Sequence, residues 1–241
     1  MIPSSRFRRL VILGAIVSAS GAIYWLFSVV TPEGAARVPG QCAAALLVLS
    51  VFYASGPLSA RFLAPIASTD AALRVRLETA IAAVPSVPRV FLYEHAEQEA
   101  NTVGLLPRHA RVYLTTSLVS GLSDAGLRGV LAHECAHVRE RHVFLLYCYA
   151  CCFVVGSTVY GHDAFFFGAF LVFLMLRRYC EFRADARAAE LAGRDDVLAM
   201  LNELAVLYPT KGWHRWFSFA SPYPTLRTRI RAIETGRIAL L

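Results

Sequence analysis

Apolar positions gather in blocks along this chain. Leu10 to Val30 is a run of 21 residues without a charged side chain, and 23 more lie between Arg37 and Arg61. Val143 to His162 gives 20, and Ala164 to Leu176 gives 13. A helix crossing about 30 Å of hydrocarbon at about 1.5 Å per residue needs roughly 20 apolar residues. The first three blocks meet that length. The fourth reaches only about 20 Å, so it reads as a buried or re-entrant helix or as the second arm of a membrane hairpin. The Gly161-His162-Asp163 turn and the Arg177-Arg178 pair, whose side chains can snorkel, favour the hairpin. The first block is longer than the apolar core of a signal peptide (about 7–15 residues) and leads into a second long run, so it reads as a span.

Between the blocks the periodicity changes. Leu73, Leu77, Ile81 and Val84 have helical spacing over Ser68 to Ala83, with Pro85 and Pro88 as the stop. Arg89–Tyr93 and Arg111–Thr115 read as strands, with Asn101–Leu105 as an edge strand between them. Ser117–Leu122 is a short helical piece. Ser123-Asp124 then offers a cap and an acid in the first turn of a helix running to His142. Arg177–Ala192 continues as helix to Gly193, and Asp195–Leu207 is another helix, ended by Pro209. The expected fold is mainly α with a small β-sheet, with about four transmembrane helices. Four segments follow: a membrane hairpin at 1–61, a polar part at 62–142, a second hairpin at 143–176 and a second polar part at 177–241.

Composition agrees with a membrane protein. Apolar residues make up 56% and charged residues 17% of the chain, against about 25% charged in soluble domains. Disorder and collagen-like sequence are excluded. The net charge of +7 comes almost wholly from arginine. Arg6, Arg8 and Arg9 precede the first block; Arg61, Arg74 and Arg76 follow the second; Arg177, Arg178 and Arg183 follow the fourth. By the positive-inside rule both termini and the 62–142 segment face the cytoplasm, in a multi-pass protein of the plasma (inner) membrane. This charge suits anionic lipid headgroups, and no aromatic-basic stripe points to nucleic acid. Cys148 and Cys151 form a C-x-x-C inside an apolar block, where membrane packing is the simpler reading, and a cytoplasmic face implies no disulfides.

Residues 133–137 read His-Glu-Cys-Ala-His. On a helix His133 and His137 share a face and can bind one metal, while Glu134, turned about 100° away, can act as general base on the metal's water. Chance alone would place an H-E-x-x-H in roughly 1% of chains of this composition. Catalytic zinc wants three protein ligands and an open position. A His ten residues after His133 would mark one protease class, but that position is Val143. On a continuous helix His142 would face away from His137, and Glu140 would lie about 10 Å from His133 along the axis. His162 and Asp163 fall across the membrane. His95, His109 and His214 stay open as ligands.

Glu181 is the best third candidate. Glu181 and Asp185 share a helical face, so one carboxylate can bind the metal and the other can hold a ligand His by its free ring N–H. His137 lies about 9 Å before the third block and Glu181 about 8 Å beyond the fourth, counted along helices. Paired membrane helices would therefore bring His133, His137 and Glu181 out at matching height.

Residues 65–235 resemble the HtpX-like integral-membrane zinc metallopeptidases. The likeness rests on Asn101, on Val130-Leu-Ala-His-Glu-Cys-Ala-His-Val-Arg-Glu-Arg-His142, on the apolar hairpin, on Cys180-Glu-Phe-Arg-Ala-Asp-Ala186 with Glu190-Leu-Ala-Gly193, and on Ser221-Pro-Tyr-Pro-Thr-Leu-Arg-Thr-Arg-Ile230. The resemblance implies a gluzincin-type endopeptidase with a cytoplasmic zincin-like catalytic domain. One Zn²⁺ would be held by His133, His137 and Glu181, with Glu134 as base and Asp185 behind the ligands. It also implies that Asn101 lies on the edge strand that pairs with an extended polypeptide substrate. Tyr223 stands where the family usually has His, as an oxyanion donor or a packing residue, and Arg229 would be an ion-pair partner or an oxyanion aid. The expected substrates are membrane or membrane-adjacent proteins, as in quality control. The rivals are a prenyl-protein protease, a sensor-transducer protease acting on a dedicated partner, and an inactive membrane scaffold.

Overall fold

The computed structural model describes residues 37–56, 67–160, 163–208 and 221–237, together with isolated helical positions between 14 and 29. The expected span at Leu10–Val30 (those positions apart), its preceding arginines, Arg61, the Gly161-His162 turn, the stop at Pro209 and His214 lie outside the described residues.

Helix α1 (Arg37–Ala54) belongs to the second apolar block. The polar part opens with α2 (Ala71–Ala83), where Asp70 caps the helix by accepting from the Leu73 N–H at 3.0 Å. The prolines end it, and the chain enters a sheet of β1 (Arg89–Tyr93), β2 (Ala100–Val103) and β3 (Arg111–Thr115). The strand order is β1-β3-β2, with β1 parallel and β2 antiparallel to β3. The central strand buries four of its five residues, as its apolar Val-Tyr-Leu run demands. The expected edge strand at Asn101–Leu105 is instead Ala100–Val103, because Gly104 turns the chain at φ +117. A Cβ on Gly104 would meet the His109 carbonyl oxygen at 2.7 Å, so only glycine fits there.

Helix α3 (Thr116–Gly121) leads to α4 (Asp124–Arg139), whose cap is the Ser123 hydroxyl accepting from Gly126 N–H at 3.0 Å. Helix α4 runs through the core, against α6 (Asp163–Ala192) and α7 (Arg194–Leu207). At Gly129 the α4 backbone comes so near α7 that an added Cβ would stand 2.7 Å from that of Met200. Leu114, Leu127, Leu131, Val197 and Leu201 are fully buried around this crossing. A further helix, α8 (Leu226–Thr235), is capped by Thr225, just after the prolines of Ser221-Pro-Tyr-Pro.

The reading of one helix from Ser123 to His142 is corrected. Helix α4 ends at Arg139, Arg141 takes a left-handed φ of 54°, and His142 opens α5 (His142–Tyr160) in a new direction. Helix α5 and the first half of α6 run antiparallel. Tyr149 is bonded to the Ala169 carbonyl, and the rings of Phe153 and Phe165 stack at 6.2 Å nearer the turn. Helix α1 joins them through Ser50 Oγ and Tyr147 OH, 2.7 Å apart. Among the described residues one helix, His142–Tyr160, is long and apolar enough to cross a membrane, and its apolar window is nowhere buried by the protein. Val38–Ala54 is shorter. The apolar stretch of α6 is bounded by Asp163 and Arg177-Arg178 inside one continuous 30-residue helix.

Candidate metal centre

Four elements meet at the site. Helix α4 carries His133, Glu134 and His137, α6 carries Glu181 and Asp185, α8 carries Arg229, and α5 contributes its first residue, His142. The imidazole Nε2 atoms of His133 and His137 lie 3.1 Å apart. Glu181 Oε2 is 3.5 Å from the first, and Glu181 Oε1 is 3.8 Å from the second. A tetrahedral ion with bonds of about 2.0–2.1 Å has ligand-to-ligand edges of roughly 3.3–3.4 Å. The three side chains therefore fit a single zinc-sized ion.

Charge makes the same case. Glu134, Glu181 and Asp185 are 8%, 5% and 1% exposed, and the one guanidinium among them belongs to Arg229. With both imidazoles neutral, as metal binding requires, three carboxylates against this one guanidinium leave two negative charges in a water-poor site, which a divalent ion would balance.

The far side of each imidazole is also fixed. His133 Nδ1 lies 2.9 Å from Asp185 Oδ1, so an Nδ1–H donates there and Nε2 keeps its lone pair for the ion. Arg229 grips the same carboxylate with two bonds, Nε to Oδ2 at 2.7 Å and Nη2 to Oδ1 at 2.6 Å. Its Nη1 reaches Glu181 Oε2 at 3.5 Å. Arg229 is thus an ion-pair partner of both acids. His137 Nδ1 lies 2.8 Å from His142 Nδ1. The expectation that His142 faces elsewhere is therefore overturned: the left-handed turn at Arg141 swings it back onto His137. Glu140 stands apart from the site and pairs with Arg183 at 3.1 Å.

These contacts set the ionisation. Burial pushes the Glu134 carboxyl up, against the lowering influence of His133 and of Thr102, whose hydroxyl donates to Glu134 Oε2 at 2.6 Å. Burial also works to raise Glu181 and Asp185, but it is outweighed: His133 chiefly, with Arg229, lowers Glu181, and Arg229 chiefly, with His133, lowers Asp185. Burial and the neighbouring His133 push His137 well below the ordinary imidazole value.

The cleft above the site is about 450 Å³ and is lined by Asn101, Thr102, Arg177, Tyr208 and Tyr223 beside the α4 residues. Asn101 is exposed on the edge strand, opposite Tyr113. Tyr223 is half exposed; its hydroxyl contacts Arg177, whose guanidinium lies 4.7 Å from the ring centre. His95 sits in another group with Glu97 and Glu99, and His109 is on a 3-10 turn. Sequence reasoning missed His142 and Thr102. For Thr102 a signal existed, because strand alternation puts it on the face opposite Asn101.

Known proteins resemble the chain. The protease HtpX homologue of Acidiphilium cryptum (strain JF-5) is 32% identical over 143 residues, covering 46% of this chain and 47% of that protein. That of Ralstonia nicotianae is 31% identical over 136 residues, covering 47% and 48%. The chain thus matches about half the length of these curated relatives. The crystal structure of S. mikatae Ste24p has a similar fold, with a TM-score of 0.61 and 17% identity over 92% of this chain and 62% of that one. The HtpX-like likeness of the sequence is borne out, and since residues 69–237 match Peptidase family M48, the chain belongs to that family.

Proposed function

We propose that this protein is a membrane-bound zinc-dependent endopeptidase, with His133, His137 and Glu181 as the zinc ligands and Glu134 as the general base. The observation that carries this reading is the near-tetrahedral spacing of the three donor groups, with Glu134 next to one of them on the same helix. When bound, zinc would supply Lewis acidity toward a peptide carbonyl and toward water. Glu134 takes a proton from the attacking water and returns it to the leaving amine; burial, by raising its carboxyl, suits it to both transfers. Asp185 and Arg229 keep the His133 ring in one tautomer, and Tyr223 with Arg177 offers donors to the developing oxyanion across the cleft. Among the described residues Asn101 lies on the outer edge of β2, where an extended polypeptide can add as a further strand.

The membrane part of the proposal has four spans, with both termini and the site on the cytoplasmic side. The arginine clusters support that orientation. Exposed Val155, Val159, Phe166, Phe167, Phe170 and Val172 on α5 and α6 give a lipid-facing surface. A site at the cytoplasmic root of this hairpin favours membrane or membrane-adjacent proteins as substrates, in a quality-control role. The test pairs two variants of the purified full chain. Glu134→Gln should retain one zinc per chain and lose cleavage of casein. Glu181→Ala should lose the zinc without unfolding. An active Glu134→Gln protein, or full zinc retention in Glu181→Ala, would overturn the assignment.

A further inference from the structure

The carboxylate proposed as general base is held by the sheet as well as by its own helix. Thr102 Oγ1 and Glu134 Oε2 lie 2.6 Å apart. An ionised carboxylate can only accept, so the threonine hydroxyl donates. This bond engages one oxygen of Glu134 and leaves the other for proton transfer. The donor sits on β2, a strand whose register is fixed by pairing Thr102 with Val112 of β3. Glu has three rotatable side-chain bonds, and an acid that must meet both a water and a leaving amine gains from having one oxygen pinned. Helix α4 alone does not supply that pin, because its own backbone groups are occupied within the helix.

We propose that Thr102 is a positioning residue for proton transfer, acting through its hydroxyl on Glu134. The inference rests on the reading of Glu134 as the base. It assigns a task to a strand residue whose backbone also borders the expected substrate edge.

The experiment compares Thr102→Val, which keeps the shape and removes the hydroxyl, with Thr102→Ser, which keeps the hydroxyl. Both are measured in the full chain with a fluorogenic casein-derived peptide, alongside zinc content and thermal midpoint. Losing a hydrogen bond to a charged group should lower kcat by about 10- to 100-fold in Thr102→Val, with KM nearly unchanged and one zinc retained. Thr102→Ser should restore kcat to within about threefold of wild type, since the lost bond is regained. Wild-type kcat in Thr102→Val, a loss confined to KM, or a Thr102→Ser protein as impaired as Thr102→Val would overturn the proposal. Should Thr102→Val shed zinc or unfold, Thr102→Ala replaces it in the same comparison. Glu134→Gln separates the two readings: an active Glu134→Gln protein removes the base itself, whereas an inactive one beside a fully active Thr102→Val protein removes only the role of Thr102.

Discussion

His142 Nδ1 lies 2.8 Å from His137 Nδ1, although five residues of ideal helix would turn the two side chains apart. The left-handed backbone at Arg141 closes that gap. With His137 Nε2 turned toward the metal position, its Nδ1–H donates to His142, which accepts as a neutral ring. Partners of this kind typically contribute 10- to 100-fold in metal affinity. Replacing His142 with Ala should therefore weaken zinc binding by about that factor while the helices remain intact. Equilibrium competition against a chromophoric chelator, with circular dichroism as the control for folding, reads the effect. Unchanged affinity would show that His137 needs no such support.

Arg229 is the counter-charge for two buried acids. Removing it leaves Asp185 and Glu181 facing each other without their guanidinium, and breaking a buried pair in this way costs about 3–5 kcal/mol. Arg229→Ala should lower the thermal midpoint of the metal-free protein sharply. Arg229→Lys should recover only part, because an ammonium cannot make the two-pronged bond to Asp185. Added zinc should restore more stability to Arg229→Ala than to wild type, since a divalent ion neutralises the same acids. Equal midpoints in all three proteins would show that the acids are neutralised by other means.

Much of this arrangement is legible in the sequence because local rules and tertiary packing agree. The strands Arg89–Tyr93 and Arg111–Thr115 stand where alternation and turn residues put them. The joining of His133, His137 and Glu181 agrees with i, i+4 spacing and with the similar distances of His137 and Glu181 from the two apolar arms. The failures lie where the backbone leaves a regular path. Nothing in Glu140-Arg141 announces a left-handed residue, so the sequence pattern carries the helix through it and aims His142 the wrong way. Helix α8 is ten residues, short and arginine-rich, and its Thr225 cap stands behind prolines that read as loop. The bond from Thr102 to Glu134 depends on the sheet docking against α4, and no periodicity within either element carries that distance.

Zinc uptake should depend on pH in a defined direction. Burial tends to lower the His133 imidazole, but the hydrogen bonds its ring donates to Asp185 and Glu181 outweigh it and carry the pKa up to about 9. A raised pKa means that the metal-free ring holds its proton through neutral pH, so zinc must displace that proton. Competition grows as pH falls, and apparent affinity should drop by about tenfold per unit below pH 9 from this group. Chelator competition at pH 6.5, 7.5 and 8.5, corrected for the chelator's own protonation, checks it. An affinity flat across that range would argue against His133 as a ligand.

Gly104 tests whether the edge strand matters to catalysis apart from the metal. At φ +117 a side chain is strained by about 1–3 kcal/mol. An alanine Cβ would in addition press on the His109 carbonyl oxygen at 2.7 Å. The backbone has to yield, and the residues next to it are Val103 and Thr102 of β2. The proposed zinc ligands come from α4 and α6, away from that turn. Gly104→Ala should keep one zinc per chain, raise KM for extended peptides as the β2 edge is distorted, and lower kcat as Thr102 is drawn from Glu134. Kinetics on peptides of increasing length, with zinc analysis on the same samples, distinguish this from general unfolding. Wild-type kcat and KM would mean that neither the β2 edge nor its threonine takes part in turnover.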